Sequence, residues 1–292
     1  MEFRLRELQL NELIIIKEIK RICMKYNLNY YLSGGTLLGA VRHQGFIPWD
    51  DDIDVMMPYY DYQKFLKIAP KELDKIFFMQ NYTTDLHDHQ AFTKIRMNDT
   101  AMILSNHKRW RIHQGIWVDI FPLISIMDSN DLKIRKRILS ISIFFQMDSF
   151  ILDNEQEFRE IMGLFYYFFR LFLLIPISLR VKIHKIMLKY AYRECDGKYF
   201  SEAWGTMTNI YRKELMYGKQ TTLLFEDDFF SVLPGYREYL VETYGDYMQL
   251  PPVEERKGHG DLIVVHLSTN FGHEFQKIIQ LHRKITQAVR HP

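Results

Sequence analysis

Residues 30–58 read YYLSGGTLLGAVRHQGFIPWDDDIDVMMP. Its acidic part, Asp50, Asp51, Asp52 and Asp54, runs directly into the apolar residues Val55, Met56 and Met57. On an extended chain, side chains at i and i+2 share a face. Asp52 and Asp54 are therefore expected to point one way, while Ile53 points into a core. Two carboxylates held on one face repel each other, and a divalent cation relieves the repulsion. Mg2+ prefers oxygen ligands and commonly takes one or two carboxylates plus substrate phosphates. The plain alternative is a solvated acidic turn. Fusion of the acids to so apolar a strand argues against it.

Upstream lies Ser33-Gly34-Gly35-Thr36. Glycine lets backbone N–H groups come close to an anion, and a helix start adds its positive end. This turn is read as a phosphate cradle. A Gly-Gly pair alone marks little more than a turn, and its meaning here comes from the acidic strand that follows. A glycine turn that grips phosphate and an acidic strand that holds metal together describe phosphoryl or nucleotidyl transfer. A third carboxylate comes from GIWVDIFPL, residues 115–123, where Asp119 stands alone among apolar neighbours. Burying it without a cation or a donor is costly. The alternative is a strand-end acid at the surface.

Outward from this motif, the periodicity of Leu5, Leu8, Leu13, Ile16 and Ile19 predicts an amphipathic helix from Leu5 to about Tyr26. A strand is expected at Tyr30–Leu32, and Thr36 is expected to cap a short helix through Val41. Further strands are expected at Ile53–Met57, Phe77–Tyr82, Phe92–Arg96, Ala101–Leu104 and Ile116–Phe121, with a helix at Asp61–Ile68. This order predicts an α/β or α+β core over roughly the first 125 residues. Asp131–Tyr192 reads as two or three long helices. The chain from Cys195 onward is mixed, with helices at Gly235–Tyr244 and Phe275–Val289. The organisation expected is a catalytic core over 1–125, a helical insertion over 126–200, and a C-terminal segment over 201–292 that completes the site.

The 292 residues are 47% hydrophobic and 25% charged, enough apolar content for a sizeable core and too much for a disordered chain. Lys and Arg total 38 against 36 Asp and Glu, so no basic excess suits the chain to nucleic acid. The two cysteines, Cys23 and Cys195, cannot form a disulfide framework, which fits a reducing, cytoplasmic setting. Residues 161–179, IMGLFYYFFRLFLLIPISL, are nearly long enough to span a bilayer but are broken by Arg170 and Pro176. Basic residues flank them, so the stretch reads either as a helix lying peripherally at the inner face of the membrane or as a buried helical subdomain.

Tyr30–Pro58 resembles the signature of the LicD family of phosphocholine transferases, related to fukutin. The likeness rests on Ser33-Gly34-Gly35-Thr36, on Leu38-Gly39-Ala40-Val41-Arg42, and on Gly45 through Asp54. It extends to Thr93-Lys94-Ile95-Arg96 with Thr100, to the strand around Asp119, and to residues 225–259. The resemblance implies a nucleotidyltransferase-like mixed sheet flanked by helices. It implies transfer of phosphocholine from CDP-choline to a hydroxyl of a cell-surface glycan, with CMP leaving, and a helix at the inner face of the membrane would suit a lipid-linked acceptor. Relatives transfer other phosphorylated alcohols, such as ribitol phosphate, and a CDP-ribitol or CDP-glycerol donor is the alternative. A non-catalytic nucleotide- or membrane-binding scaffold is a third reading.

On this reading Asp52, Asp54 and Asp119 are catalytic and bind Mg2+, with Mn2+ as the substitute, and Asp50 joins them. The superfamily pattern also gives Asp119 the acceptor hydroxyl. Ser33, Gly34, Gly35 and Thr36 hold phosphate. Arg42, His43, Lys94 and Arg96 are candidate phosphate contacts, and Arg256 and His259 candidates to close over the donor. Plain surface charge or a structural histidine is the alternative for each. Trp49, Trp117 and Tyr31 are candidates to line a choline pocket, or else core packing.

Overall fold

In the computed structural model the described residues are 5–88, 90–104, 111–144, 174–203, 209–258 and 262–266. Helix α1, Leu5–Tyr26, buries Leu8, Ile15, Ile16, Ile19 and Ile22 as one stripe. The stripe packs on a mixed sheet of seven strands. Five of them run in the order β1 (Tyr31–Leu32), β2 (Asp54–Pro58), β6 (Trp117–Ile126), β4 (Thr93–Met97) and β3 (Phe77–Gln80). β2 and β6 are parallel, and the other pairs are antiparallel.

β6 is the spine. Its first half pairs with β4 and its second half with β7 (Tyr199–Glu202), which in turn pairs with β8 (Tyr211–Arg212). Nearly every residue of β6 is buried, as befits a central strand covered on both faces. Helix α2 (Gly34–His43) follows β1, and α3 (Tyr59–Glu72) follows β2 directly. β5 (Ala101–Leu104) pairs with β11 (Leu262–His266) in a separate ribbon.

The chain leaves β6 into α4 (Ser129–Phe144) and returns through α5 (Ile177–Ala191) to β7. These two helices pack together over a second cluster that includes Ile124, Ile126, Leu139, Leu188 and Tyr192. Arg135 is buried in this seam, where it pairs with Asp131 at 2.9 Å and donates to the Arg193 carbonyl at 2.7 Å. The expected helices at Phe275–Val289 and over residues 161–173 lie outside the described residues. No helix among the described residues is long and apolar enough to cross a membrane.

Two local expectations are corrected. Thr36 does not cap α2. Ser33 holds that position, its hydroxyl is engaged elsewhere, and Thr36 lies buried in the first turn. The final third contains strands that its sequence leaves unmarked: β7, β8, and a hairpin of β9 (Thr221–Phe225) and β10 (Asp228–Val232). β7 and β8 are too short for an alternating pattern. The hairpin turns on Glu226 and Asp227, with Glu226 at φ 61° instead of the usual glycine or asparagine. Arg6 and the Phe46 N–H both donate to the Glu226 carboxylate and hold the turn in place. Helix α6 (Tyr236–Tyr244) follows this hairpin.

Candidate active site

A cavity of about 460 Å3 opens where the parallel strands β2 and β6 begin. Asp54, at the start of β2, and Asp119, on β6, are register partners across the parallel pair. The Asp119 N–H donates to the Ile53 carbonyl at 3.0 Å, which fixes the two strands at this level. Ile53 is fully buried, so Asp52 and Asp54 both reach the cavity on either side of it. Asp52 precedes the strand instead of lying within it.

The glycine turn sits over these acids. The Ser33 N–H donates to the Asp54 carbonyl at 3.0 Å, and the Asp54 N–H donates to Thr36 Oγ1 at 2.9 Å. Gly34 has φ +49°, a conformation that a side chain disfavours. A Cβ on Gly35 would lie 2.8 Å from Asp50 Oδ2. The missing side chain of Gly35 thus lets Asp50 approach the first turn of α2, where backbone N–H groups have no intrahelical partner.

Electrostatically the cavity is acidic. Asp50, Asp52, Asp54, Asp119 and Glu202 line it, and no described lysine or arginine does. Burial, then the charges of Asp52 and Asp119, hold the Asp54 carboxyl well above the usual carboxylate range. Its Oδ1 is buried with no hydrogen-bond partner. Carboxylate oxygens of Asp50, Asp51 and Asp52 lie within 4.8 Å of one another. Hard oxygen donors, mutual repulsion and an unpartnered buried oxygen suit a Mg2+-type cation.

Lys94 stands beside the cavity. It is the register partner of Asp119 across β4 and β6, and its ammonium is ion-paired with the Asp119 carboxylate. The Trp117 indole N–H donates to Asp119 Oδ2 at 3.3 Å. Burial lowers the Lys94 pKa, and Asp119 opposes that shift. Lys94 also lies over the rings of Phe92 and Trp117, at 4.9 and 4.7 Å from their centroids.

The remaining sequence candidates lie off the cavity wall. Arg96 is buried, donates to Gln80 and to the Gly115 carbonyl, and stacks over Trp117. Arg42 donates to the Tyr247 and Gln249 carbonyls, which ties α2 to the segment after α6. His43 meets Trp49 edge-on, and the Arg256 guanidinium lies 5.4 Å from the centre of the same ring. His259 lies outside the described residues. Trp49, Trp117 and Tyr31 are not among the lining residues.

Several residues at the site escape a sequence reading. Glu202, at the end of β7, accepts from the Ser33 hydroxyl at 2.8 Å and from the Tyr239 hydroxyl at 2.6 Å. Tyr211, Tyr239 and Tyr244 form the adjoining wall. Glu12 on α1 is wholly buried with neither oxygen hydrogen-bonded. Burial, reinforced by Asp52 and Asp51, pushes its carboxyl well above the usual range. The signal for Glu12 was present, since it interrupts the buried stripe of α1. Glu202 had none, because its partners come from distant segments.

The chain is similar to known proteins. Residues 27–142 match the family described as LicD/FKTN/FKRP, nucleotidyltransferase domain. The chain is 29% identical over 263 residues to the lipopolysaccharide cholinephosphotransferase LicD of Haemophilus influenzae, covering 87% of this chain and 95% of that one. An uncharacterized protein of Rickettsia typhi is 44% identical over 57 residues, 20% of this chain and 18% of its own. The glycine turn, the acidic run, Lys94 and Asp119 all fall inside the matched span, whereas Glu202 and the tyrosine wall follow it. Residues 27–142 are thus similar to the LicD/FKTN/FKRP nucleotidyltransferase domain.

Proposed function

We propose that the protein transfers phosphocholine from CDP-choline to a hydroxyl of a cell-surface glycan, releasing CMP, in a reaction that requires Mg2+. The observation that carries this reading is the meeting of Asp54 and Asp119 on adjacent strands beneath the glycine turn, in one acidic cavity. The named Haemophilus relative supports the choice of transferred group and of a lipopolysaccharide-type acceptor.

Asp52, Asp54 and Asp119 would hold the cation, with Asp50 beside them. When bound, it supplies charge neutralisation on the diphosphate and eases the departure of CMP. N–H groups in the first turn of α2 bind phosphate oxygen. The acceptor hydroxyl oxygen forms a bond to the phosphorus of phosphocholine as the bond from that phosphorus to the CMP oxygen breaks. Asp119, oriented by Lys94 and Trp117, takes the hydroxyl proton. A lipid-linked acceptor at the inner leaflet would bring the enzyme to the membrane surface.

The test is CMP release from CDP-choline, CDP-ribitol and CDP-glycerol, with Mg2+ and lipopolysaccharide lacking phosphocholine. Release from CDP-choline that is lost in Asp52→Ala is the expected result. Release only from a polyol donor would change the transferred group. No release from any donor would remove the transferase reading.

A further inference from the structure

The wall of the cavity beyond Ser33 differs in chemistry from the acidic floor. It consists of Glu202, Tyr211, Tyr239 and Tyr244, with Thr243 and Asn209 behind. The polar groups of Glu202, Tyr211, Tyr239 and Thr243 are already engaged with the protein. Glu202 Oε2 accepts from Ser33, and Oε1 from Tyr239. The Tyr211 hydroxyl accepts from Asn209 at 3.1 Å and lies 3.0 Å from Thr243 Oγ1. Thr243 in turn donates to the Tyr239 carbonyl at 2.7 Å. Tyr211 and Tyr239 pack with ring centroids 4.6 Å apart. Glu202 is buried, and no described lysine or arginine forms an ion pair with it.

Such a wall offers aromatic surface and a buried carboxylate held by two hydroxyl donors, and few free hydrogen-bonding groups. A polyol is poorly matched to it, because its hydroxyls would lose water without gaining partners. A cation with no N–H donors is well matched. Aromatic faces attract it, and the carboxylate attracts it at a distance without giving up its two hydroxyl donors. Ser33 joins the two regions, since its N–H meets Asp54 and its hydroxyl meets Glu202. A phosphate at the glycine turn therefore has the acidic cluster on one side and this wall on the other.

We infer that Glu202, Tyr211, Tyr239 and Tyr244 form the subsite for a quaternary ammonium group and set the choice of a choline-type donor over a polyol. The inference rests on the transferase reading for its substrate, but it is tested by binding alone. Titration calorimetry of the full chain, in Mg2+, compares phosphocholine with its uncharged tert-butyl isostere, dimethylbutyl phosphate. The wild type is expected to prefer phosphocholine by about tenfold. Glu202→Gln keeps the size of the side chain and one acceptor oxygen, replaces the other by an amide donor that a neighbouring hydroxyl can accept, and should reduce that preference to about twofold, with little change in affinity for the isostere. Tyr244→Leu, at a partly exposed position, should reduce the preference by about threefold. Circular dichroism melts establish that each variant is folded. Equal affinity of the wild type for both ligands, binding of neither, or a preference unchanged in both variants overturns the subsite. A preference without CMP release from any donor upholds the subsite and removes the transferase reading.

Discussion

Asp54 and Asp119 face each other across the parallel strands β2 and β6, tied at that level by the hydrogen bond from the Asp119 N–H to the Ile53 carbonyl. The protein alone leaves this arrangement under electrostatic stress, since Asp54 is buried among like charges and its Oδ1 has no partner. Replacing Asp54 by Asn removes a carboxyl whose charged form burial and the neighbouring acids disfavour. In metal-free buffer, Asp54→Asn should raise Tm by about 2–4 °C, corresponding to roughly 1 kcal/mol in a protein of this size. CMP release should fall at least a hundredfold (~2.7 kcal/mol). A lower Tm in calorimetry would contradict the stress argument.

Mg2+ should act in the opposite sense on the wild type. A ligand that binds only the native state stabilises it by mass action, by about 2.7 kcal/mol at a hundredfold excess over Kd. Wild-type Tm should rise with added Mg2+ and return on chelation. Asp52→Asn should show a much smaller rise. Differential scanning fluorimetry across a Mg2+ series measures both, and an equal response in the variant would remove Asp52 from the ligand set.

Lys94 and Asp119 are buried partners, so losing one strands the other. Lys94→Met should destabilise the protein by about 3–5 kcal/mol, as for a broken buried ion pair. The double variant Lys94→Met/Asp119→Leu should recover part of that loss, because no charge is left unpaired. Urea unfolding of the two variants checks the difference. Additive losses would show that the two side chains are not coupled.

Gly35→Ala probes the contact between the turn and the acidic run. The new methyl would meet Asp50 Oδ2 at 2.8 Å, and the carboxylate must move. Expected are a fold retained by circular dichroism, a weaker Mg2+ response, and a CMP release rate lower by about tenfold. An unchanged rate would separate Asp50 from the site.

His184, on α5, gives a pH signature away from the cavity. Its Nδ1 lies 2.9 Å from the Ser142 carbonyl, so that nitrogen carries the proton and donates. Its Nε2 is buried without a partner. Burial lowers its pKa to about 4. The unfolded chain therefore takes up a proton near pH 6.5 and the native one only near pH 4. Native stability from this group is complete above pH 6.5 and declines as pH falls toward 4, by about 3 kcal/mol in all. His184→Leu lacks this titration. The difference in stability between wild type and variant should narrow in that window by urea unfolding, and a constant difference would refute it.

Much of the core was legible because its signals are local. The apolar stripe of α1 repeats every three or four residues, and the helix spans Leu5–Tyr26 as the periodicity predicts. Asp119 stood out as one acid in an apolar strand, and the strand is indeed buried on both faces. Long-range relationships left no such mark. Lys94 and Arg96 read as cations free for phosphate, yet one is paired with Asp119 and the other donates to Gln80 and Gly115. Glu202 sits in a four-residue strand whose place is set by β6, and its partners Ser33 and Tyr239 belong to far segments of the chain. Side chains gathered by tertiary packing carry no pattern along the sequence.

β6 anchors β4 and Asp119 with one half and β7 with the other. The helical hairpin stands on that second half, with Leu139 and Tyr192 wedged against Ile124 and Ile126. Loosening that footing is expected to loosen β7, which carries Glu202 and its contact with Ser33. Through that shared strand, amide protons in α5 and in β7 are expected to exchange with solvent in the same opening event.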